Sequence, residues 1–79
     1  MIADDGFETT FREVLEEVLG WDVAVGDDDG PGTVEGWDSL AQIRIIHELE
    51  TRFGVRLPDE ALLEVQTVDS LRQLVAAAI

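Results

Sequence analysis

From Leu40 to Phe53 the chain sets Ile43, Ile45, Ile46, Leu49 and Phe53 around an unusually wide apolar arc at helical spacing, and the run stops at Gly54. A helix with so broad an apolar side has to be covered by more than one neighbour, which makes it the central element of a small bundle. The rest of the chain supplies those neighbours. Phe7, Phe11, Val14, Leu15, Val18 and Leu19 keep the i, i+3/i+4, i+7 spacing of an amphipathic helix, with Glu8, Glu13, Glu16 and Glu17 on its other face. Asp4 and Asp5 are placed to cap its start and Gly20 to stop it.

A last helix is expected from Thr67, whose hydroxyl can cap the amides of Asp69 or Ser70, burying Val68, Leu71, Leu74, Val75 and Ala78. Between Gly54 and Thr67, Val55-Arg56-Leu57-Pro58 reads as an extended connector that docks Val55 and Leu57 inward. Asp59 to Glu64 has room for at most a turn or two of helix. No stretch has the period of a strand. The expectation is an all-α fold: a four-helix bundle with a short third helix and a long loop between helices one and two, forming a single domain over residues 1–79.

That loop, residues 21–38, carries the breakers Gly26, Gly30, Pro31, Gly32 and Gly36 and the acidic run Asp27-Asp28-Asp29. A connection of this length in so small a domain is expected to be partly packed or functional. Trp21, Val23, Val25 and Val34 are the side chains available to tuck against the bundle. The aspartates do not make an EF-hand. With Gly30 as the sixth residue of the loop, Val25 would be the first ligand and Gly36 the twelfth; with Gly32, Pro31 would be the fifth.

Eighteen acids against five bases, all arginine, give a net charge of −13. Such a surface repels phosphate backbones and anionic lipid heads, so neither nucleic acid nor membrane is an expected partner, and basic protein patches are. Acidity is also what plain solubility would require. There is no cysteine for a disulfide, a thiolate metal site or a thiol nucleophile. The first residues lack the basic-then-apolar pattern of a secretory signal, and a cytoplasmic location is the expectation.

The loop ends on Gly36-Trp37-Asp38-Ser39-Leu40. As a nucleophile Ser39 lacks a base: His47, the single histidine, lies eight residues further on, about 12 Å along the same helix axis. There is neither a lysine nor a Gly-x-Ser-x-Gly elbow to replace it. Attachment suits the position better. With Asp38 as N-cap, Ser39 becomes the first helical residue and its hydroxyl stays unspent, while an anion built there faces the positive end of the helix dipole. The alternative is that Ser39 merely shares the capping. A second Asp-Ser-Leu, Asp69-Ser70-Leu71, falls inside a helix already capped by Thr67, and Ser70 there reads as structural.

Asp38-Ser39-Leu40 opening the second helix, Leu49-Glu50-x-x-Phe53-Gly54-Val55-x-Leu57 closing it and Thr67-Val68-x-x-Leu71 opening the last, in an acidic helical chain of this length, resemble the acyl carrier proteins, the phosphopantetheine-binding modules of fatty acid, polyketide and nonribosomal peptide synthesis. The resemblance covers nearly the whole chain. It implies a non-catalytic carrier in which a phosphopantetheinyl transferase moves 4′-phosphopantetheine from coenzyme A onto Ser39 and the arm's thiol then holds an acyl group as a thioester.

The resemblance also implies partner recognition along the second helix by acyl-loading, acyl-transferring or condensing enzymes with basic docking patches. On a helical wheel Leu40, Ala41, Arg44, His47, Glu48 and Thr51 share a sector that the core does not need, with Glu35, Trp37 and Asp38 beside it from the loop. Gln42 and Glu50 fall on the apolar side, where nothing in the sequence accounts for Gln42. Ala41, Arg44 and His47 stand where fatty acid carriers place acids and a flexible apolar residue, so generic fatty acid synthesis enzymes are expected to be poor partners, while Trp37-Asp38-Ser39-Leu40 is similar to discrete carriers of specialised polyketide or related natural-product pathways; a monomer is expected. A peptidyl or aminoacyl carrier is one alternative, disfavoured by Asp38 before the serine. An unmodified acidic interaction module is the other.

Overall fold

The computed structural model describes residues 2–61 and 65–79, with side chains from Gly6 onward. Three helices are present among them: α1 over Ile2–Leu19, α2 over Ser39–Phe53 and α3 over Val68–Ala78, and the described residues contain no strand. The short third helix expected over Asp59–Glu64 falls largely on Leu62, Leu63 and Glu64, which lie outside the described residues. Flanking them, the Ala61 N–H donates to the Pro58 carbonyl at 2.9 Å and the Val65 N–H to the Ala61 carbonyl at 3.2 Å.

Each helix contributes one apolar stripe to a common core. Phe11, Val14 and Leu15 come from α1, Ile45, Ile46 and Leu49 from α2, and Val68, Leu71 and Val75 from α3. Leu57, Ala61 and Val65 bring the connector into the same cluster. Phe7 stacks on Phe11 at 5.9 Å and meets Phe53 at 5.1 Å between ring centres, tying the start of α1 to the end of α2. α2 ends on Gly54, which takes the left-handed conformation (φ 65°) and donates its N–H to the Glu50 carbonyl. Gly20, at φ 117°, ends α1 in a conformation that an L side chain would strain.

The structure departs from the sequence expectations at five places. α1 is already helical at Ile2, so Asp4 and Asp5 lie within the helix and do not precede it as a cap. Trp21 is 70% exposed. It occupies the turn closed by the Val23 N–H on the Gly20 carbonyl, which aims it outward while Val23 and Val25 pack on the core. Ile43 is 50% exposed, and Ala41 is buried. The buried arc of α2 centres near Leu49; Ile43 lies about 120° from that centre, whereas Ala41 lies beside Ile45 within the arc. Burial along α3 ends at Val75, leaving Ala78 in solvent.

Candidate functional site

α2 begins as its sequence dictates. Asp38 has extended backbone (φ −97°, ψ −170°) and its Oδ1 accepts the Ala41 N–H at 2.9 Å, while its carbonyl accepts the Gln42 N–H at 2.9 Å. Asp38 is therefore the N-cap and Ser39 the first helical residue. Ser39 is exposed, and no capping bond uses its hydroxyl. No acid follows Ser39 within the first turn of α2, and the one carboxylate at this helix end is the cap itself, Asp38, whose Oδ1 is engaged by the Ala41 N–H.

Beside Ser39 an open groove of about 890 Å³ runs between the start of α2, the loop segment Pro31–Thr33 and the connector at Val65 and Gln66. Its walls include Trp37, Gln42 and Ile43. The exposure of Ile43, unexpected from the wheel, thus has a place in this groove. Further round the helix, Leu40 is 65% exposed, and Arg44, His47 and Thr51 are exposed with it. Glu48 is half-buried and accepts from Arg52, which also reaches Glu17 at 2.7 Å. Those contacts, the Glu17 bond foremost, raise the Arg52 guanidinium above its ordinary value. Glu35 is exposed on the loop.

Two residues assigned to the docking sector from sequence, Trp37 and Ala41, are buried and lie under that face, not on it. Trp37 is 2% exposed, and its indole N–H donates to Gln42 Oε1 at 2.7 Å. Gln42 in turn donates through Nε2 to the Ala61 carbonyl at 3.4 Å. This accounts for the polar residue on the apolar side of α2. Glu50, the second irregularity, accepts the Leu57 N–H at 2.8 Å and fastens the connector.

The second Asp-Ser-Leu is closed. Thr67 caps α3, accepting the Ser70 N–H at 3.1 Å, while Ser70 Oγ accepts the Thr67 N–H at 3.2 Å and donates to the Thr67 carbonyl at 2.9 Å. Asp69 pairs with Arg72.

The acidic loop is built into the fold. Asp29 accepts from the Gly26 N–H and from the Thr33 hydroxyl; these bonds, Gly26 foremost, hold its carboxyl below the ordinary carboxylate value. The carbonyls of Asp29 and Asp27 accept the Val68 and Asp69 N–H groups at 2.8 and 3.0 Å, satisfying donors at the start of α3. Asp27 Oδ1 bridges Arg12 and Arg72, and Arg72 grips Glu8 with two nitrogens at 2.9 and 3.0 Å. The Arg72 bonds lower the Glu8 carboxyl, and Glu8 foremost raises Arg72. Arg72 also lies 5.4 Å from the Phe11 ring centre. Sequence reading missed this network because its partners are far apart along the chain.

Residues 9–75 match the family described as phosphopantetheine attachment site. The anthracycline acyl carrier protein DpsG of Streptomyces peucetius is 39% identical over 64 residues, which cover 76% of this chain and 75% of that protein. Anthracycline acyl carrier protein DauA of a Streptomyces species is 38% identical over the same shares. The non-reducing polyketide synthase dbaI of Emericella nidulans is 35% identical over 86% of this chain, but the match spans only 3% of that synthase. No solved structure matches.

Proposed function

Since the chain belongs to the phosphopantetheine-binding acyl carrier family, we propose that Ser39 is the residue that receives the 4′-phosphopantetheine group and that the carrier serves polyketide assembly. As a member of that family the chain is a carrier and not an enzyme, and its prosthetic group is covalently attached. When bound, that group supplies the thiol on which an acyl chain rides as a thioester.

The observation that carries the assignment is the exposed Ser39 hydroxyl at the first position of a helix capped by its neighbour Asp38. The chain's own share of the attachment is a fixed, accessible oxygen at the positive end of a dipole. The Ser39 oxygen bonds to the phosphorus of the arm as the pyrophosphate bond of coenzyme A breaks and adenosine 3′,5′-bisphosphate leaves, the hydroxyl proton passing to a base of the transferase. The groove beside Ser39 has room for the arm, and its Trp37 and Ile43 walls are apolar.

Docking runs over Leu40, Arg44, His47, Glu48 and Thr51 with Glu35 from the loop, and Ile43 joins them. Partners are a phosphopantetheinyl transferase and acyl-handling enzymes whose basic patches meet the −13 charge. A short helix near Ala61 completes a four-helix bundle, and the carrier works as a cytoplasmic monomer of one domain. The pathway follows from the anthracycline carriers and polyketide synthase that the chain resembles.

Incubation of the apo-protein with coenzyme A and a broad-specificity transferase is expected to add one phosphopantetheine mass. The gain is expected to vanish in Ser39→Ala and persist in Ser70→Ala. A gain that survives Ser39→Ala overturns the assignment.

A further inference from the structure

Among the described residues Gln42 is the one buried polar side chain, at 4% exposure, and it joins three segments that meet beside Ser39. Its Oε1 accepts from the Trp37 indole, and its Nε2 donates to Ala61 on the far wall. Its backbone N–H donates to the Asp38 carbonyl, the first helical bond of α2. Trp37 is held a second time, by its own N–H on the Val34 carbonyl at 3.1 Å. Ser39 thus sits inside a clasp whose two ends, Trp37 and Gln42, are bonded to each other and whose Asp38 is bonded to Ala41 and Gln42, while its own hydroxyl is left outside.

An ordinary core would fill position 42 with leucine, since burying an amide gains nothing over a well-packed apolar group and costs free energy wherever it is left unpaired. Both ends of this amide are used, and one of them meets the residue two before Ser39. We propose that Gln42 is a positioning residue for phosphopantetheine attachment: by clasping Trp37 it fixes the loop-to-helix junction so that Ser39 is presented in one geometry to the transferase. The inference rests on Ser39 being the modified residue. Its physical basis is that rate falls steeply when a reacting oxygen is held loosely.

The test follows modification of the apo-protein with coenzyme A and a broad-specificity transferase, separating kcat from KM, in wild type, Gln42→Leu, Gln42→Glu and the double variant Trp37→Phe/Gln42→Leu. Indole N–H signals are read by NMR in parallel, with the exposed Trp21 as internal reference. In Gln42→Leu the Trp37 signal is expected to lose its protection from solvent exchange and kcat to fall about tenfold, with KM unchanged. Gln42→Glu keeps an oxygen facing the indole, and with its buried carboxyl held protonated its hydroxyl replaces Nε2 on the Ala61 carbonyl, so it is expected to restore the protection and part of the rate. The double variant removes both polar partners, so its stability is expected to recover while kcat stays low.

Wild-type kcat in the double variant, or in a folded Gln42→Leu whose indole has become unprotected, overturns the inference and leaves Gln42 as core filling. Should Gln42→Leu fail to fold, the double variant decides alone. Absence of any mass gain in the wild type overturns the reading of Ser39, and this inference with it.

Discussion

The chain reads Asp-Ser-Leu at residues 38–40 and again at 69–71, and the two copies are put to opposite uses. In the first, the aspartate is the cap, the serine hydroxyl is left free, and Leu40 is 65% exposed. In the second, Thr67 is the cap, so the same three residues enter the helix two positions deeper. Two positions rotate a side chain by about 200°, enough to carry Leu71 into the core at 0% exposure and to lock Ser70 into a capping box. Register relative to the cap, and not the tripeptide, decides which serine is available.

The leucines offer the hardest test of that contrast. Leu71→Ala is expected to cost about 2–5 kcal/mol in urea unfolding. Leu40→Ala is expected to stay within about 0.5 kcal/mol of wild type. Equal losses would mean that Leu40 is part of the core after all. The caps come next. Asp38→Ala and Thr67→Ala are each expected to destabilise by about 1 kcal/mol, and Thr67→Ala leaves the Ser70 N–H without its capping acceptor while Ser70 Oγ keeps its bonds to the backbone of residue 67. No change at Asp38 would mean that Ser39 can take over the capping and that its hydroxyl is not held in reserve.

Acid separates the copies through the Arg72 cluster that holds Asp69. Glu8 is lowered from its ordinary value of 4.5 chiefly by its hydrogen bonds from Arg72. Its contribution to stability is therefore present above that value and is lost as pH falls through the lowered folded value. Melting temperature followed downward in pH is expected to drop more steeply in wild type than in Glu8→Gln below pH 4.5. Parallel curves would remove Glu8 from the cluster's account. Salt is expected to have the smallest effect. Sodium chloride or millimolar magnesium should raise the melting temperature by roughly a few degrees by relieving the −13 charge, even while it screens the Arg72 pairs. A falling melting temperature would show that the ion-pair cluster outweighs the repulsion.

What was legible in the sequence was whatever a helix decides within its own turn. The caps at Asp38 and Thr67, the stop at Gly54 and most of the apolar stripes follow from neighbours three or four residues away. What escaped was fixed by partners across the fold. Gln42 made sense only beside Trp37, five residues back, and Ala61, nineteen ahead. A helical wheel gave α2 the right polarity, but only the segments packed around it set the edges of the buried arc, so Ile43 and Ala41 exchanged places. Nothing nearby in sequence revealed that Arg12 and Arg72 would reach Asp27 in the acidic loop.

Gly30 packs so closely on the connector that a Cβ there would lie 2.0 Å from the Gln66 carbonyl oxygen. Together with the Asp27 and Asp29 carbonyls on the first turn of α3, this contact divides an eighteen-residue loop into two shorter spans joined at a fixed staple. Such a loop has less freedom to lose than its length implies, because closing two short spans is cheaper once the staple has formed. In the native fold the loop is thus fastened to the start of α3 through three backbone contacts. Grafts or insertions are better accommodated at the exposed residues 21–22 than at residues 25–30, where backbone groups are bonded to Arg12, Asp29 and α3.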